Sequence, residues 1–209
     1  RILRHLNQRS EMLSGISHDL RTPLTRIKLQ LELIKDKEVS KKLSNDVDEM
    51  EKMLNEYLQF SKSTFTEKNE EFILSDLILS TVRKYEVDNI KIIKNEENSF
   101  YGRKNLIQRC LNNLIDNAIK FAKRVEIKQF KNKNNIYINF EDDGPGIPKE
   151  EYDNVFKPFY KIDKSRGQSK SSVGLGLSIS SDIVRSHGGN IELGKSEKGG
   201  LKVKISLPV

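Results

Sequence analysis

Apolar residues in the first third of the chain recur every three or four positions. One series contains Leu13, Ile16, Leu20, Leu24, Ile27, Leu31 and Ile34, and a second contains Leu43, Val47, Met50, Leu54, Tyr57 and Ser61. This spacing predicts two amphipathic helices, the first over residues from about 8 to 36, joined by the polar residues 36–40. Because a lone hairpin leaves apolar surface uncovered, we expect two copies to pair as a homodimeric four-helix bundle.

The apolar pattern changes after residues 63–71, a polar stretch that predicts a linker. Beyond it, periods typical of helices and strands alternate, which predicts an α+β fold. Ser75 and Asp76 are expected to cap a helix. The other expected elements are a strand at 90–93, a helix at about 103–122, strands at 125–130 and 136–141, a short helix at 149–155, a mobile segment at 160–173, a helix at 174–187 and a hairpin of 191–194 with 201–207. We expect two domains, residues 1–66 and 67–209.

Composition narrows the possible functions. The chain has 37 basic and 30 acidic residues among 209, a net charge of +7, and the two signs are mixed along it. Since no basic run with interleaved aromatic residues is present, nucleic acid is not an expected partner. Cys110 is the only cysteine, which excludes an intramolecular disulfide. It lies on an apolar helix face, so we expect it in the core. The chain opens without Met and has no apolar run of about 18 residues, so we expect a soluble fragment of a longer protein, attached to a membrane only through a missing N-terminal segment.

The first candidate for chemistry is His18. It lies two positions from both Ile16 and Leu20, or about 200° around a helix, so its imidazole points away from the apolar seam. Asp19 is adjacent, and Thr22 follows one turn later on the same face. Pro23 interrupts the helix pattern and frees a backbone carbonyl next to His18. An exposed histidine near a tolerated kink explains these features equally well on their own.

Three stretches of the second half suit a phosphorylated ligand. Asn113, Asn117 and Lys120 share one helix stripe, which is either plain surface or a source of neutral metal ligands and a phosphate contact. The segment Glu141-Asp-Asp-Gly-Pro-Gly-Ile-Pro148 ends a strand in a glycine turn where Asp143 can accept a hydrogen bond from an exocyclic amine. In Gly174-Leu-Gly-Leu177, bare amides begin a helix and form a candidate anion site.

Together these motifs resemble the catalytic core of a sensor histidine kinase of two-component signalling, over residues from about 8 to 209. The phosphoacceptor motif is Ser17-His-Asp-Leu-Arg-Thr-Pro-Leu24, and the N box is Asn113-Leu-Ile-Asp-Asn-Ala-Ile-Lys-Phe121. The glycine boxes are Asp143-Gly-Pro-Gly-Ile147 and Gly174-Leu-Gly-Leu177, and the phenylalanine box is Phe156-Lys-Pro-Phe159. The run from Arg21 to Ile27 is most similar to osmosensing kinases of Gram-negative bacteria.

The resemblance implies a dimeric helical phosphotransfer domain followed by an α/β sandwich that binds ATP. His18 would be phosphorylated, Asp19 would draw its proton, and Thr22 would position water during dephosphorylation of a response regulator receiver domain. Asn117, with Asn113, would hold Mg²⁺. The implied nucleotide contacts are Asn113, Asn117, Lys120, Phe121, Asp143, Gly144, Gly146, Ile147, Phe159, Lys161, Arg166, Gly174, Leu175, Gly176 and Leu177. The whole protein would be a bacterial inner-membrane sensor, with this part in the cytoplasm.

Two positions depart from the family pattern: Ser172 stands where a further glycine is usual, and Phe121 where tyrosine is frequent. One rival interpretation is an ATPase of the topoisomerase, chaperone or mismatch-repair type, which shares the same fold. In those enzymes a glutamate usually lies four residues before the asparagine that binds the metal, and it acts as the general base for water. Here that residue is Asn113, which cannot accept a proton. A non-catalytic dimeric scaffold is the other rival, and it leaves exposed His18 and the nucleotide stripe unexplained.

Overall fold

The computed structural model describes residues 20–85, 87–162 and 174–209. The described residues divide into two compact units, one ending at Thr66 and the other beginning at Glu67. The first unit is a pair of helices, α1 over residues 20–32 and α2 at Lys37–Thr66. The second unit mixes helices and strands, which confirms the α+β fold class. No helix in the described parts of the chain is long and apolar enough to cross a membrane.

The turn between α1 and α2 is shorter than the predicted connection over residues 36–40. Oδ1 of Asp36 accepts hydrogen bonds from the backbone N–H groups of Glu38 and Val39, at 3.0 and 3.1 Å. Asp36 is therefore the N-cap of α2, a role that suits its short carboxylate. Ser40 lies inside α2, where its hydroxyl donates to the Leu31 carbonyl at 2.7 Å. The connection thus covers residues 33–36, because the cap ends it early.

Only part of each predicted apolar seam is buried within one copy of the hairpin. Leu24 and Leu31 of α1 pack with Val47 of α2, and Ile34 and Leu54 border this cluster. The Lys28 ammonium bridges the two helices through Asp48 and Glu51, at 2.7 and 2.6 Å. The other described seam residues Leu20, Ile27, Leu43 and Met50 remain between 40% and 54% exposed. In a single hairpin, four of the nine described seam residues are therefore in contact with solvent.

Among its described residues, the second unit contains two sheets and three helices of ten or more residues. The strands are β1 (Glu70–Ile73), β2 (Ile90–Asn95), β3 (Ser99–Gly102), β4 (Val125–Asn132), β5 (Asn135–Asp142), β6 (Asn190–Lys195) and β7 (Leu201–Pro208). The helices are α3 (Leu74–Arg83), α4 (Lys104–Phe121) and α5 (Gly176–Ser186), with 3₁₀ turns at Lys149–Glu151 and Asn154–Phe156. β1 and β3 form a small antiparallel sheet, and the main sheet has the order β2-β4-β5-β7-β6. β2 runs parallel to β4, and the other neighbours are antiparallel.

The main sheet has one apolar face and one polar face. Cross-strand partners such as Ile127 with Phe140, and Ile138 with Ile205, are buried on the same side. The alternate positions carry ion pairs: Lys204 with Glu192 is exposed, and Lys202 pairs with the buried carboxylate of Glu141. The buried sides of α3, α4 and α5 supply the rest of the core, including Cys110 as predicted. This is a two-layer α/β sandwich with one face of the sheet in solvent.

Three predictions about this unit were wrong. Residues 63–71 are not all linker, because α2 continues to Thr66 and β1 begins at Glu70. Ser75 and Asp76 do not cap α3: the N-cap is Ile73, and the first N–H of the helix, that of Leu74, bonds the Asn98 carbonyl at 2.9 Å. The helix expected over residues 149–155 is instead two single 3₁₀ turns. The predicted strands near 125–130, 136–141, 191–194 and 201–207 are confirmed, each slightly longer than expected.

Candidate functional site

The polar stripe of α4 lies along the helix beside its buried apolar side. Leu106, Cys110 and Leu114 recur at helical spacing and are at most 3% exposed. Asn113, Asn117 and Lys120 are half-buried on the neighbouring side. A surface stripe of an isolated helix would be fully exposed, so another element must cover these three side chains in part.

The covering element is the N-terminal end of α5. The Asn113 side-chain amide donates a 3.3 Å hydrogen bond to the Gly176 carbonyl. A Cβ atom placed on Gly176 would lie 3.6 Å from Asn117 Nδ2 and 3.8 Å from Asn113 Cβ. The free N–H groups of the first turn of α5 therefore open beside the two asparagines. Such N–H groups carry partial positive charge and suit a phosphate.

Lys120 completes this end of the stripe with an unusual environment. Its Nζ atom is buried and has no hydrogen-bond partner among the described residues. The Phe121 ring lies close by, with its centroid 5.3 Å from Nζ. Because a buried ammonium without a hydrogen bond is costly, its presence here indicates a place prepared for an anion.

The first glycine box is fixed to the end of α4 by Asp143. Its Oδ1 accepts two hydrogen bonds of 2.8 Å, from the backbone N–H groups of Lys123 and Arg124. These bonds, first that from Arg124, hold the pKa of the Asp143 carboxyl below its usual range. The carboxylate is thus ionised at neutral pH and held by the backbone, and its second oxygen is the one suited to accept from a ligand.

The glycines of this box permit close approach of chain segments. A Cβ on Gly144 would lie 2.9 Å from the Phe121 carbonyl oxygen, so no side chain fits there. Gly146 adopts φ +69°, a left-handed conformation that favours glycine. Phe121 itself is 54% exposed beside the turn, and Ile147 is half-buried. The turn therefore lies directly against the C-terminal end of the polar stripe.

The phenylalanine box and the second glycine box meet in the structure. The Phe159 N–H donates to the Gly174 carbonyl at 2.9 Å, and a Cβ on Gly174 would lie 2.9 Å from the Tyr160 carbonyl oxygen. Gly174 has φ +76° and Phe159 has φ +64°. The ring of Phe159 is 54% exposed, so its backbone rather than its side chain makes this contact. Leu175 is buried and Leu177 half-buried just beyond.

The predicted site residues thus fall into two groups. α4, the two glycine boxes and the backbone of Phe159 meet in the second unit. Thr22 lies on the exposed side of α1, in the first unit, and Lys161 is exposed. His18, Asp19 and Arg166 lie outside the described residues, as does most of the segment predicted to be mobile.

Two carboxylates that support the site were not predicted. Oδ1 of Asp142 accepts from the N–H groups of Gly144 and Leu201, at 2.9 and 3.0 Å, and so joins the glycine turn to β7. Oε2 of Glu151 accepts hydrogen bonds from the Tyr160 hydroxyl, at 2.6 Å, and from the Asn154 amide, at 3.0 Å. Tyr160 directly follows Phe159, whose backbone contacts Gly174. Both roles depend on partners distant in sequence, and the only sequence signal was the pair of adjacent aspartates before Gly144.

Two family models match the chain. The model described as histidine kinase-, DNA gyrase B- and HSP90-like ATPase matches residues 102–209, more than half of the chain. The His Kinase A (phospho-acceptor) domain matches residues 8–65. The chain belongs to the family of histidine kinase-, DNA gyrase B- and HSP90-like ATPases. With the phosphoacceptor domain before the ATPase domain, it is the catalytic core of a two-component sensor histidine kinase, as its motifs indicated.

Curated relatives carry consistent names. The sensor histidine kinase GtrS of Pseudomonas aeruginosa is 35% identical over the whole chain, which covers 44% of that protein. The sensor histidine kinase WalK of Bacillus subtilis is 30% identical over 96% of the chain, which covers 37% of it. The chain therefore spans less than half the length of these relatives. Their names say nothing of osmosensing, so that finer resemblance stays a prediction.

Solved structures agree on the fold. The Acinetobacter baumannii histidine kinase AdeS aligns with a TM-score of 0.63 and 25% identity, over 91% of this chain and 97% of that one. ShkA, solved in complex with AMPPNP, aligns with a TM-score of 0.68 over 95% of this chain and 45% of that one. At 20% identity ShkA supports the fold alone.

Proposed function

We propose that this chain transfers the γ-phosphoryl group of ATP to His18 and then to an aspartate of a response regulator receiver domain. The observation that carries the proposal is the meeting of Asn113, Asn117 and Lys120 with the N-terminal end of α5. This region brings together side-chain amides, an ammonium and free backbone N–H groups, which are the groups that bind a nucleoside triphosphate.

The residues of this region fit ATP. The buried Nζ of Lys120 suits a phosphate oxygen, and the N–H groups after Gly174 suit the neighbouring phosphates. The second carboxylate oxygen of Asp143 suits the exocyclic amine of adenine. Phe121, Gly144, Gly146 and Ile147 border the space for the base, and Leu175 and Leu177 fix the start of α5. Lys161 and Arg166 are our candidates for the γ-phosphate.

A magnesium ion also fits, with Asn117 as its protein ligand. Among the described residues no group of three or more His, Cys, Asp or Glu side chains could hold a metal. A single carboxamide oxygen together with phosphate oxygens is a suitable set for Mg²⁺, which keeps several waters and binds through few protein ligands. We assign Asn117 to the ion, and Asn113 to holding α5 in place through Nδ2, which donates to the Gly176 carbonyl. Oδ1 of Asn113 takes no part in that bond and is the atom that would serve as a second ligand. The ion would neutralise charge on the triphosphate.

The acceptor side lies in the first unit. The His18 imidazole would attack the γ-phosphorus, ADP would leave, and Asp19 would take the imidazole proton. Thr22, exposed on α1, would position water when the same protein dephosphorylates its regulator. The exposed seam residues Leu20 and Ile27 support a homodimer, in which a second hairpin covers them. We propose that the whole protein is a bacterial inner-membrane sensor with this part in the cytoplasm.

An ATPase without a phosphoacceptor is the rival function. Hydrolysis requires a group that takes a proton from water, and Asn113 stands where related ATPases usually carry a glutamate. Asn113 instead makes a structural contact, because its Nδ2 donates a hydrogen bond to the Gly176 carbonyl. Transfer to a positioned histidine therefore fits this site better than transfer to water.

Incubation with γ-labelled ATP and Mg²⁺ tests the proposal. The wild-type chain should acquire label that is lost in acid and retained in base, as expected of a phosphoimidazole. His18→Gln should lose the label and keep its affinity for a non-hydrolysable ATP analogue within about twofold, because His18 belongs to the phosphoacceptor domain. Label retained on His18→Gln, or phosphate released without any labelled protein, would contradict the assignment.

A further inference from the structure

The chain enters the second unit at Glu67, whose side chain contacts α4. Oε1 of Glu67 accepts a 2.6 Å hydrogen bond from the backbone N–H of Asn105, the second residue of the helix. The N–H groups of the first helical turn have no partner within the helix. The N-cap residue Arg103 provides no side-chain cap. Glu67 therefore performs from a distant part of the sequence the task of an N-cap side chain.

The same end of α4 is joined to the end of α5. The Arg103 backbone N–H donates to Nε2 of His187 at 3.1 Å. The Arg103 guanidinium donates to the carbonyl and hydroxyl of Ser186, at 2.9 and 2.7 Å. Glu67 is thus bonded to a pair of helices that are joined at this end and carry the candidate nucleotide site at their opposite ends. From Asn105 to Asn117 the helix rises about 18 Å, at 1.5 Å per residue.

Only residues 67–69, the entry segment, separate the end of α2 from β1. A segment this short has little freedom when its first residue is bonded to α4. Without that bond, the entry segment and the end of α2 gain rotational freedom. Productive transfer between a donor and an acceptor on different units falls when their orientation is less restricted, even where binding is unchanged.

We propose that Glu67 is a positioning residue for phosphoryl transfer to His18: its hydrogen bond to the N-terminal turn of α4 stiffens the connection between the helix of the phosphoacceptor domain and the nucleotide-binding unit. The inference rests on the proposed function of the chain. Because Glu67 is far from the nucleotide site, its loss should change the rate of transfer without changing nucleotide affinity. The rate of transfer at saturating ATP depends on the bond, and nucleotide affinity does not.

The test compares Glu67→Ala with two control variants. Glu67→Ala should lower the rate constant of autophosphorylation at saturating ATP about fivefold, because the entry segment is no longer held against α4. Its dissociation constant for a fluorescent ATP analogue should stay within about twofold of the wild type. Glu67→Gln retains an oxygen that can accept from Asn105 and should keep most of the rate. Glu70→Ala removes an exposed carboxylate three residues further on and should change neither quantity.

Thermal unfolding of each variant, measured beside the two assays, verifies that it is folded. A wild-type rate for Glu67→Ala, or an equal fall in rate and affinity, would overturn the positioning role and leave Glu67 as a cap that serves stability alone. Failure of the proposed function is visible separately, because it would appear as absence of His18 labelling in the wild type. In that case the positioning role falls with it.

Discussion

Gly174 and Gly176 are two residues apart, and each lacks a side chain for a different structural reason. Gly174 has φ +76°, and a Cβ there would collide with the backbone of Phe159 and Tyr160. Gly176 has ordinary helical conformation, and a Cβ there would meet its nearest atom at 3.6 Å, a normal contact distance. The fold therefore requires glycine at 174 and tolerates alanine at 176. The remaining reason for glycine at 176 is the approach of a ligand to the start of α5.

This contrast gives a prediction for a pair of variants. Gly176→Ala should leave the free energy of unfolding unchanged or raise it slightly, because alanine favours a helix. Its affinity for an ATP analogue should fall at least tenfold, about 1.4 kcal/mol. Gly174→Ala should lower the free energy of unfolding, since alanine there is strained. Chemical denaturation and nucleotide titration measure both effects. Unchanged nucleotide affinity in Gly176→Ala would show that ligands do not reach the start of α5.

At the same scale, the sequence predicts candidate site residues but not the groups that they contact. Asn113, Asn117, Lys120 and Asp143 were identifiable because helical spacing and a glycine turn are local patterns. The backbone bonds of Asp143 and the contact of Asn113 with Gly176 were not, since they depend on how α4 ends and where α5 begins. The cap that Glu67 provides for α4 joins residues 38 positions apart and leaves no local signature.

At the scale of elements, the ends of α4 and α5 are joined by a neutral histidine. Nδ1 of His187 donates to the Ile183 carbonyl at 2.8 Å, and Nε2 accepts from Arg103, so the ring carries one proton. Burial, with Arg103 nearby, lowers the pKa of His187 from its ordinary 6.5; Glu67 acts in the opposite direction. A second proton would abolish the bond to Arg103. The folded state therefore resists protonation that the unfolded chain accepts.

The sign of the pH effect follows from this difference. Below about pH 6.5 the unfolded chain binds a proton at His187 that the folded chain does not, so the free energy of unfolding decreases as the pH falls through this window. Well above pH 6.5, His187 is neutral in both states and its contribution to the free energy of unfolding no longer changes with pH. His187→Gln should show a weaker decrease between pH 7.5 and 5 than the wild type, in denaturation curves recorded at each pH. Identical pH dependence in both proteins would exclude His187 as its source.

Elements differed in how well local patterns predicted them. The hairpin of β4 and β5 alternates regularly around an Asn/Lys-rich turn, and its prediction is confirmed. β1 and β3 were missed because each has four residues and is stabilised mainly by pairing with the other, whose paired residues lie 26 to 32 positions away. The capping of α3 was predicted wrongly because Ser75 and Asp76 are typical N-cap residues, whereas the backbone carbonyl of Asn98 takes that role instead.

At the scale of the whole molecule, a single copy of the first unit leaves part of its apolar seam exposed. Leu24 and Leu31 are buried against α2, while Leu20 and Ile27, from the same heptad series, are 45% and 40% exposed. Leu29 is also exposed, at 66%, but lies two positions from Ile27 and thus on the opposite side of α1. If a second hairpin covers the seam, these two exposed residues should respond differently to the same substitution.

We therefore predict that Ile27→Asp converts a dimer to a monomer and that Leu29→Asp does not. Loss of one buried isoleucine is worth about 2 kcal/mol, and the change occurs twice in a symmetric dimer, so the dimer dissociation constant should rise about a thousandfold. Sedimentation velocity over a range of concentrations measures this, and an unchanged affinity for an ATP analogue verifies that the second unit is intact. Equal dissociation of both variants would place the contact elsewhere on α1, and a dimeric Ile27→Asp would contradict a dimer built on the heptad seam.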